Sequence, residues 1–439
     1  MTAPADTAAT HSGAAGPDLR CNPDVGLVLA GGGARGAYEM GALSVLMPFL
    51  EARGERPGIV LGTSIGALNG ALLASTAHLP ASESIASGVE RWRAIGWDDL
   101  FGPLLSPREL GRLLLYFGEL LGVSRAKVHS LLDTSPLAPT VRGLIDFEQL
   151  ERNVEAGVLA SIAVVATSYA TAESVVFHYG KPAQAVPHDS KRAIRYVPTR
   201  LTHEHVRASS ALPVFFPAVR VDEPVAASGW YGDGATRLNT PIKPALKLGA
   251  KQVVVIGLNS SAVPEQPVAG QPDVFDGVAQ FLQALLADQL AQDVATLAGV
   301  NDRIGDRAAG GAAAPEDGNA PVPYIFIAPS DRLTVGRLAM KVYAEHFSSL
   351  RARVRSRDVA ALGHIVNVGA SPVRGELLSF LFFAREFADA LVDLGRSDAE
   401  RWLAATHDDG PWRRGDPPQP ARDAGKRSRA RRPGKAVPA

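Results

Sequence analysis

Cysteine occurs once, at Cys21, so no disulfide can form within the chain and a reducing compartment is permitted. No run approaches the ~20 consecutive apolar residues that a bilayer span requires. The most apolar stretch, Leu377-Leu378-Ser379-Phe380-Leu381-Phe382-Phe383-Ala384, is far too short, so any membrane contact is expected to be peripheral. An excess of one charge is missing as well, because Lys plus Arg and Asp plus Glu each number 45 in 439 residues. Bulk electrostatics therefore favour neither nucleic acid nor an acidic membrane, and no nucleic-acid partner is expected. Residues 1–20 have no apolar core behind a basic start and do not read as a secretory signal, which makes a cytoplasmic location the expectation. The sequence sets no oligomeric state.

What is present suffices for a large core: 46% of residues are hydrophobic and 21% charged, within range of one elaborated domain or two smaller ones. Val25 to Ala30, Ile59 to Leu61, Val253 to Leu258 and Ile325 to Ile327 read as buried strands, and Leu159 to Ser168 with Ser174 to Tyr179 as paired ones. Helices are expected over 274–299, 342–350 and 377–394. Strands alternating with helices predict an α/β fold, a mainly parallel central sheet covered on both faces, with C-terminal helical additions. The expected organisation is a disordered segment at 1–23, a core at 24–259, and a mainly helical extension at 260–410 containing a flexible loop near 306–323. A disordered tail follows at 411–439. From Trp412 onward nine Lys or Arg stand against two Asp, so this tail is a basic arm. A solvated arm is the default reading and attraction to anionic lipid the functional one.

Chemistry concentrates in three turns. Ser64 stands at the centre of Gly62-Thr63-Ser64-Ile65-Gly66, between a short strand and a small-residue helix. That setting holds a hydroxyl out on a strained turn at a helix N-terminus, where orphan N–H groups favour negative charge. Gly31-Gly32-Gly33-Ala34-Arg35-Gly36 follows another strand, and its successive glycines let N–H groups converge on an anion; Arg35 adds a charge that orients the loop or faces the substrate. Asp233-Gly234-Ala235 is the third. Hydrolysing an ester needs a nucleophile, a base and an oxyanion cradle, and these turns hold one of each.

Alternatives accompany each motif. The glycines at 31, 33 and 36 also fit a dinucleotide fingerprint, but no carboxylate closes the second strand to hold a ribose. A triad would need a histidine after Asp233, and His346, His364 and His407 have no distinctive setting. His178, His203 and His205 precede Asp233. His203-Glu204-His205 would share a face on a strand, yet no third ligand block accompanies it, so no metal is expected.

The chain resembles the patatin-like phospholipases through Gly-Gly-Gly-Ala-Arg-Gly from Gly31, Gly-Thr-Ser-Ile-Gly from Gly62, and Ala208-Ser209-Ser210-Ala211-Leu212-Pro213 running into Phe215-Phe216-Pro217. Tyr231-Gly232-Asp233-Gly234-Ala235 is the fourth block. The resemblance implies a three-layer α/β/α fold and hydrolysis of lipid acyl esters, phospholipid or lysophospholipid, without a metal or organic cofactor. It makes Ser64 the nucleophile, Asp233 its base, Gly62 and Gly66 the nucleophile turn, and Gly31, Gly32, Gly33, Arg35 and Gly36 the oxyanion elements, with Gly234 and Ala235 completing the aspartate turn. An idle lipid-binding or scaffold protein is the different-class alternative. If Asp233 is the base, activity should fall on acidification along one ionisation, whereas a histidine base would place that fall nearer neutrality. Between Ser64 and Asp233, the apolar positions Leu110, Leu113, Leu114, Phe117, Leu120 and Leu121 predict an amphipathic helix over 108–121, either packed on its own domain or acting as a lid that meets lipid.

Overall fold

Uninterrupted apolar runs need cover on both faces, and the central strands obtain it. In the computed structural model β2 (Pro57–Thr63), β8 (Gln252–Ile256) and β9 (Tyr324–Ile327) are buried along nearly their whole length, and β1 (Asn22–Leu29) from Val25 onward. The structure describes residues 20–104, 106–120, 129–181, 185–260, 271, 273–309, 320–349, 356–365, 372–405 and 410–415.

One sheet runs β5-β4-β3-β2-β1-β8-β9, where β3 is Ser161–Ser168, β4 Ser174–Gly180 and β5 Ile194–Pro198. The pairs β3–β2, β2–β1, β1–β8 and β8–β9 are parallel, and β4 returns antiparallel on β3. Two short strands, β6 (Val219–Val221) and β7 (Gly229–Asp233), pair with each other, and β7 also lies antiparallel on β3. This last pairing positions the site. Along β3, Val165 is the last partner of β2, facing Thr63, and the next residue, Ala166, faces Asp233 of β7. The edge of β3 thus passes from one strand to the other between adjacent residues, bringing the chain after Thr63 against Asp233.

The helices are α1 (Ala37–Glu51), α2 (Ile65–Ser75), α3 (Ala81–Ala94), α4 (Pro107–Leu120), α5 (Leu137–Leu144), α6 (Phe147–Glu155), α7 (His203–Ser209) and α8 (Ile242–Lys247). The C-terminal part adds α9 (Val274–Ala309), α10 (Thr334–His346), α11 (Arg357–Ile365), α12 (Pro372–Leu381) and α13 (Arg385–Ala404). Helices α1 and α13 lie almost backbone to backbone: a Cβ on Gly41 would stand 2.1 Å from the Val392 carbonyl oxygen, and one on Gly395 2.2 Å from that of Tyr38. The buried Tyr38 hydroxyl donates to Asp398 at 2.7 Å across that contact.

Several boundaries differ from the sequence reading. Strand β1 starts at Asn22, inside the segment expected to be disordered, because Cys21 and Asn22 donate backbone bonds to Val158 and Arg56. Helix α9 extends ten residues beyond Gly299, and the helix expected from Val342 begins at Thr334. The stretch read as one helix over 377–394 is two, separated at Phe382–Ala384. The C-terminal extension is not purely an addition, since β9 widens the core sheet beside β8. Residues 410–415 also belong to the fold: Arg413 and Tyr324 exchange both backbone bonds at 2.7 and 2.8 Å. The loop at 310–319, His407 and the basic residues from 416 onward lie outside the described residues, as do 1–19.

Candidate active site

Ser64 opens α2 directly after β2 with φ 55° and ψ −122°, a conformation that a residue with a Cβ rarely adopts. The flanking glycines make the turn feasible. A Cβ at Gly62 would stand 2.0 Å from the carbonyl oxygen of Gly66, and one at Gly66 2.4 Å from that of Leu29. The Ser64 hydroxyl donates to Asp233 Oδ2 at 2.7 Å, while Asp233 Oδ1 accepts the Ala235 N–H at 2.8 Å. Both side chains are buried. Burial pushes the Asp233 carboxyl up from 3.8 to about 7, with the Ser64 and Ala235 hydrogen bonds opposing the rise.

That value changes an expectation. A carboxylate moved this close to neutrality titrates where a histidine would, so the pH midpoint alone does not separate the two bases. The temperature dependence of the midpoint does, because imidazolium loses its proton with a large heat uptake and a carboxylic acid with almost none.

Other bonds hold the turns in register. The Gly31 N–H donates to Asn239 Oδ1 at 2.8 Å, and Thr63 Oγ1 donates to the Leu238 carbonyl at 3.0 Å, so the passage after Asp233 holds both glycine turns. The Ser64 N–H donates to Ser209 Oγ at 2.8 Å, and Ser209 Oγ in turn donates to the Val165 carbonyl at 2.5 Å. Ser209 to Ala should leave the Ser64 N–H without this acceptor and weaken stability by about 1–3 kcal/mol. A roughly tenfold loss of turnover on a soluble ester should accompany it, since the strained serine loses its backbone anchor. Wild-type turnover in a folded Ser209 to Ala protein would remove the anchoring role.

Of the oxyanion candidates, Gly32 and Gly33 line the cleft beside Ser64 and Asp233. Their N–H groups donate to no acceptor among the described residues. Gly31 is already committed to Asn239. Gly36 packs tightly, its α-carbon leaving no room for a Cβ beside Ile65 and Trp92. Its carbonyl accepts from Asn69 at 3.0 Å. Asn69 also donates to Glu39 Oε2 at 2.7 Å; burial raises the Glu39 carboxyl well above its ordinary range. The Arg35 side chain is absent from the cleft wall. It is 1% exposed and turned to Glu376, whose carboxylate it meets at 2.7 Å, so of its two expected roles the geometry displays loop orientation and not a charge facing substrate.

The cleft is otherwise apolar, walled by Leu212, Phe215 and Phe216 on one side and Leu377, Phe380 and Leu381 of α12 on the other, with Ala235 beside Asp233. The cavity between these residues is narrow, about 50 Å³. A long acyl chain therefore requires the walls to part. The α12 residues carried no motif that would have marked them.

None of the described histidines lines the cleft. His346 ends α10, His364 sits on α11 and His178 is buried in β4. His203 and His205 lie on α7, not on a strand, and their rings serve different partners. His203 faces Glu204 at 2.9 Å, and His205 lies near Thr202 and the Glu223 carbonyl at 3.1 Å. No group of three metal-ligating side chains occurs among the described residues.

The fold and the position of these turns place the chain among α/β proteins whose ligand site opens at the C-terminal ends of parallel strands. A family model described as Patatin-like phospholipase matches residues 27–246, half the sequence, and the chain belongs to that family. Lysophospholipase nte1 of Aspergillus terreus is 51% identical over 59 residues, which are 13% of this chain and only 4% of that protein. Among solved structures, VipD from Legionella pneumophila is 13% identical with a TM-score of 0.30, over 86% of this chain and 67% of that one. Human GIVD cytosolic phospholipase A2 is 14% identical with a TM-score of 0.37, over 87% and 60%. Similarity at that level adds nothing about the site.

Proposed function

We propose that the chain is a serine acyl hydrolase of lipid esters, phospholipid or lysophospholipid, working through Ser64 and Asp233. The hydrogen bond from the Ser64 hydroxyl to a buried carboxylate, at the floor of an apolar cleft, carries this reading. Asp233 takes the hydroxyl proton as Ser64 Oγ attacks the ester carbonyl. The resulting oxyanion meets the N–H groups of Gly32 and Gly33 together with the N-terminal end of α2. Collapse expels the alcohol, which takes the proton back from Asp233, and leaves an acyl group on Ser64. Water then attacks that ester with Asp233 again as base, and the fatty acid leaves. A carboxyl near 7 suits both directions, since at neutral pH it accepts and returns a proton at little cost.

A fluorophosphonate probe tests the reaction class. Ser64 should carry the adduct, and digestion of a mixed lipid extract should release free fatty acid. Nucleotide binding without labelling would reverse the assignment, and lipid binding without labelling would favour an idle lipid binder.

Peripheral contact with a lipid surface is the second part of the reading, and α4 is the element that supports it. Leu114 of the amphipathic stripe is 73% exposed and its neighbour Leu115 46%, so neither side chain is packed in the core. Of the remaining stripe positions, Leu121 lies outside the described residues. Leu114 to Glu should lower hydrolysis of vesicle lipid by about fivefold to tenfold while leaving a short soluble ester within twofold. Equal losses on both substrates would argue against lipid contact.

A further inference from the structure

The glycine-rich loop lies within the family-matched span, yet what grips its Arg35 side chain does not. Arg35 donates from Nε to Ser379 Oγ at 2.9 Å, from Nη1 to Asn259 Oδ1 at 2.5 Å, and from Nη2 to Glu376 Oε2 and the Glu376 carbonyl at 2.7 and 3.1 Å. Its guanidinium carbon sits 3.8 Å from the centre of the Phe380 ring. Every one of these partners follows residue 246, where the family match ends. Glu376 is held in turn: its Oε1 accepts the Gly336 N–H of α10 at 2.6 Å, and Ser379 Oγ donates to its carbonyl at 2.6 Å. Both members of the ion pair are 1% exposed.

The loop is fitted to α12 as closely by shape as by charge. Gly33 has φ 60°, and a Cβ there would stand 2.3 Å from the Phe380 carbonyl oxygen. Arg35 is two residues from Gly33, and its own N–H donates to the Gly32 carbonyl at 3.3 Å. Gly33, which lines the cleft, and Arg35, two residues on, thus both rest on one helix. A buried ion pair is a poor device for stability alone, since apolar residues of similar volume often serve as well, but its directional bonds fix one arrangement of the groups it joins.

The geometry points to Glu376 as a positioning residue of the active site. Through Arg35 it holds the Gly32–Gly33 amides at the place where the oxyanion forms, which makes α12, with Leu377 and Leu381 also in the cleft wall, an integral half of the catalytic centre. This rests on the acyl hydrolase reading above. It predicts an effect on turnover that exceeds any effect on substrate binding, because an oxyanion cradle is complementary to the transition state.

The test uses the full chain and a short soluble ester, and begins with fluorophosphonate labelling of the wild type. Glu376 to Ala alone would leave a guanidinium unpaired in the core and would be expected to unfold the protein. Arg35→Met combined with Glu376→Leu removes both charges together. Ser379→Ala removes only a neutral bridge and leaves the pair intact. The double variant should lose about 100-fold in kcat and Ser379→Ala about tenfold, with KM within threefold and the thermal midpoint of Ser379→Ala lowered by several degrees while the protein stays folded. Labelling rates should fall in the same ratio. Wild-type kcat in the folded double variant, or a loss confined to KM, overturns the inference; should that variant not fold, Glu376→Gln, which keeps an acceptor for Arg35 but loses the charge, is measured in its place, and wild-type kcat there overturns it equally. An unlabelled wild type would instead refute the acyl hydrolase reading itself.

Discussion

Ser64 to Ala should abolish hydrolysis, with a loss of at least about 10⁴-fold in kcat and no adduct with a fluorophosphonate, while lipid binding persists. Loss of the hydroxyl removes the proposed nucleophile and leaves the Asp233 carboxylate with one described hydrogen bond, that from the Ala235 N–H. The backbone supplies a second readout. Ser64 adopts φ 55° and ψ −122°, and alanine retains the Cβ that makes this conformation costly. Ser64 to Gly should be as inactive as Ser64 to Ala and yet more stable by about 1–3 kcal/mol, because glycine accepts that conformation. A denaturation experiment on the pair would measure how much strain the turn stores. Substantial turnover in either variant would show that the reaction does not pass through this residue.

The sequence made the local chemistry readable because each turn carries its own geometry. Glycines at 62 and 66 are required by the approach of backbone to backbone, and that requirement is written within five residues. What joins the turns is not local. Asp233 reaches Ser64 because β7 takes over the edge of β3 where β2 ends, at Val165 and Ala166, and no pattern in a strand as short as Gly229–Asp233 announces which neighbour it will choose. The same holds for Arg35: its charge is visible in the motif, but the carboxylate that claims it lies 341 residues away on a helix whose apolar spacing resembles any other packed helix. Ser209 stood within a recognisable block, and its role became visible only once α7 brought its hydroxyl under the Ser64 amide. The central sheet was legible from unbroken apolar runs, whereas the break at Phe382–Ala384 and the longer α9 depend on packing against the core.

Asp233 to Asn should lower kcat/KM by about 10⁴-fold, and the pH profile should assign the cause. In the wild type, kcat/KM for a soluble ester should fall on acidification with a midpoint near 7, since the carboxyl must be ionised to accept the Ser64 proton. That midpoint should barely move with temperature, and a strong temperature dependence would point to a histidine instead. Stability runs in the opposite direction to activity. The folded carboxyl protonates at about 7 and the unfolded one near its ordinary 3.8, so between these values the native state keeps a proton that the unfolded chain has released. Its contribution is fully present below about pH 4 and is lost as pH rises through 7, a change of roughly 4 kcal/mol for a group this deeply buried. The Asn variant carries no such ionisation, so relative to wild type it should gain stability as the pH is raised from 5 to 8. The carboxylate proposed to accept the serine proton is therefore expected to weaken the fold at neutral pH, as a buried charge should. A wild-type minus variant stability difference that stays flat across this range would show that the carboxyl is not raised, and the account of its basicity would fall with it.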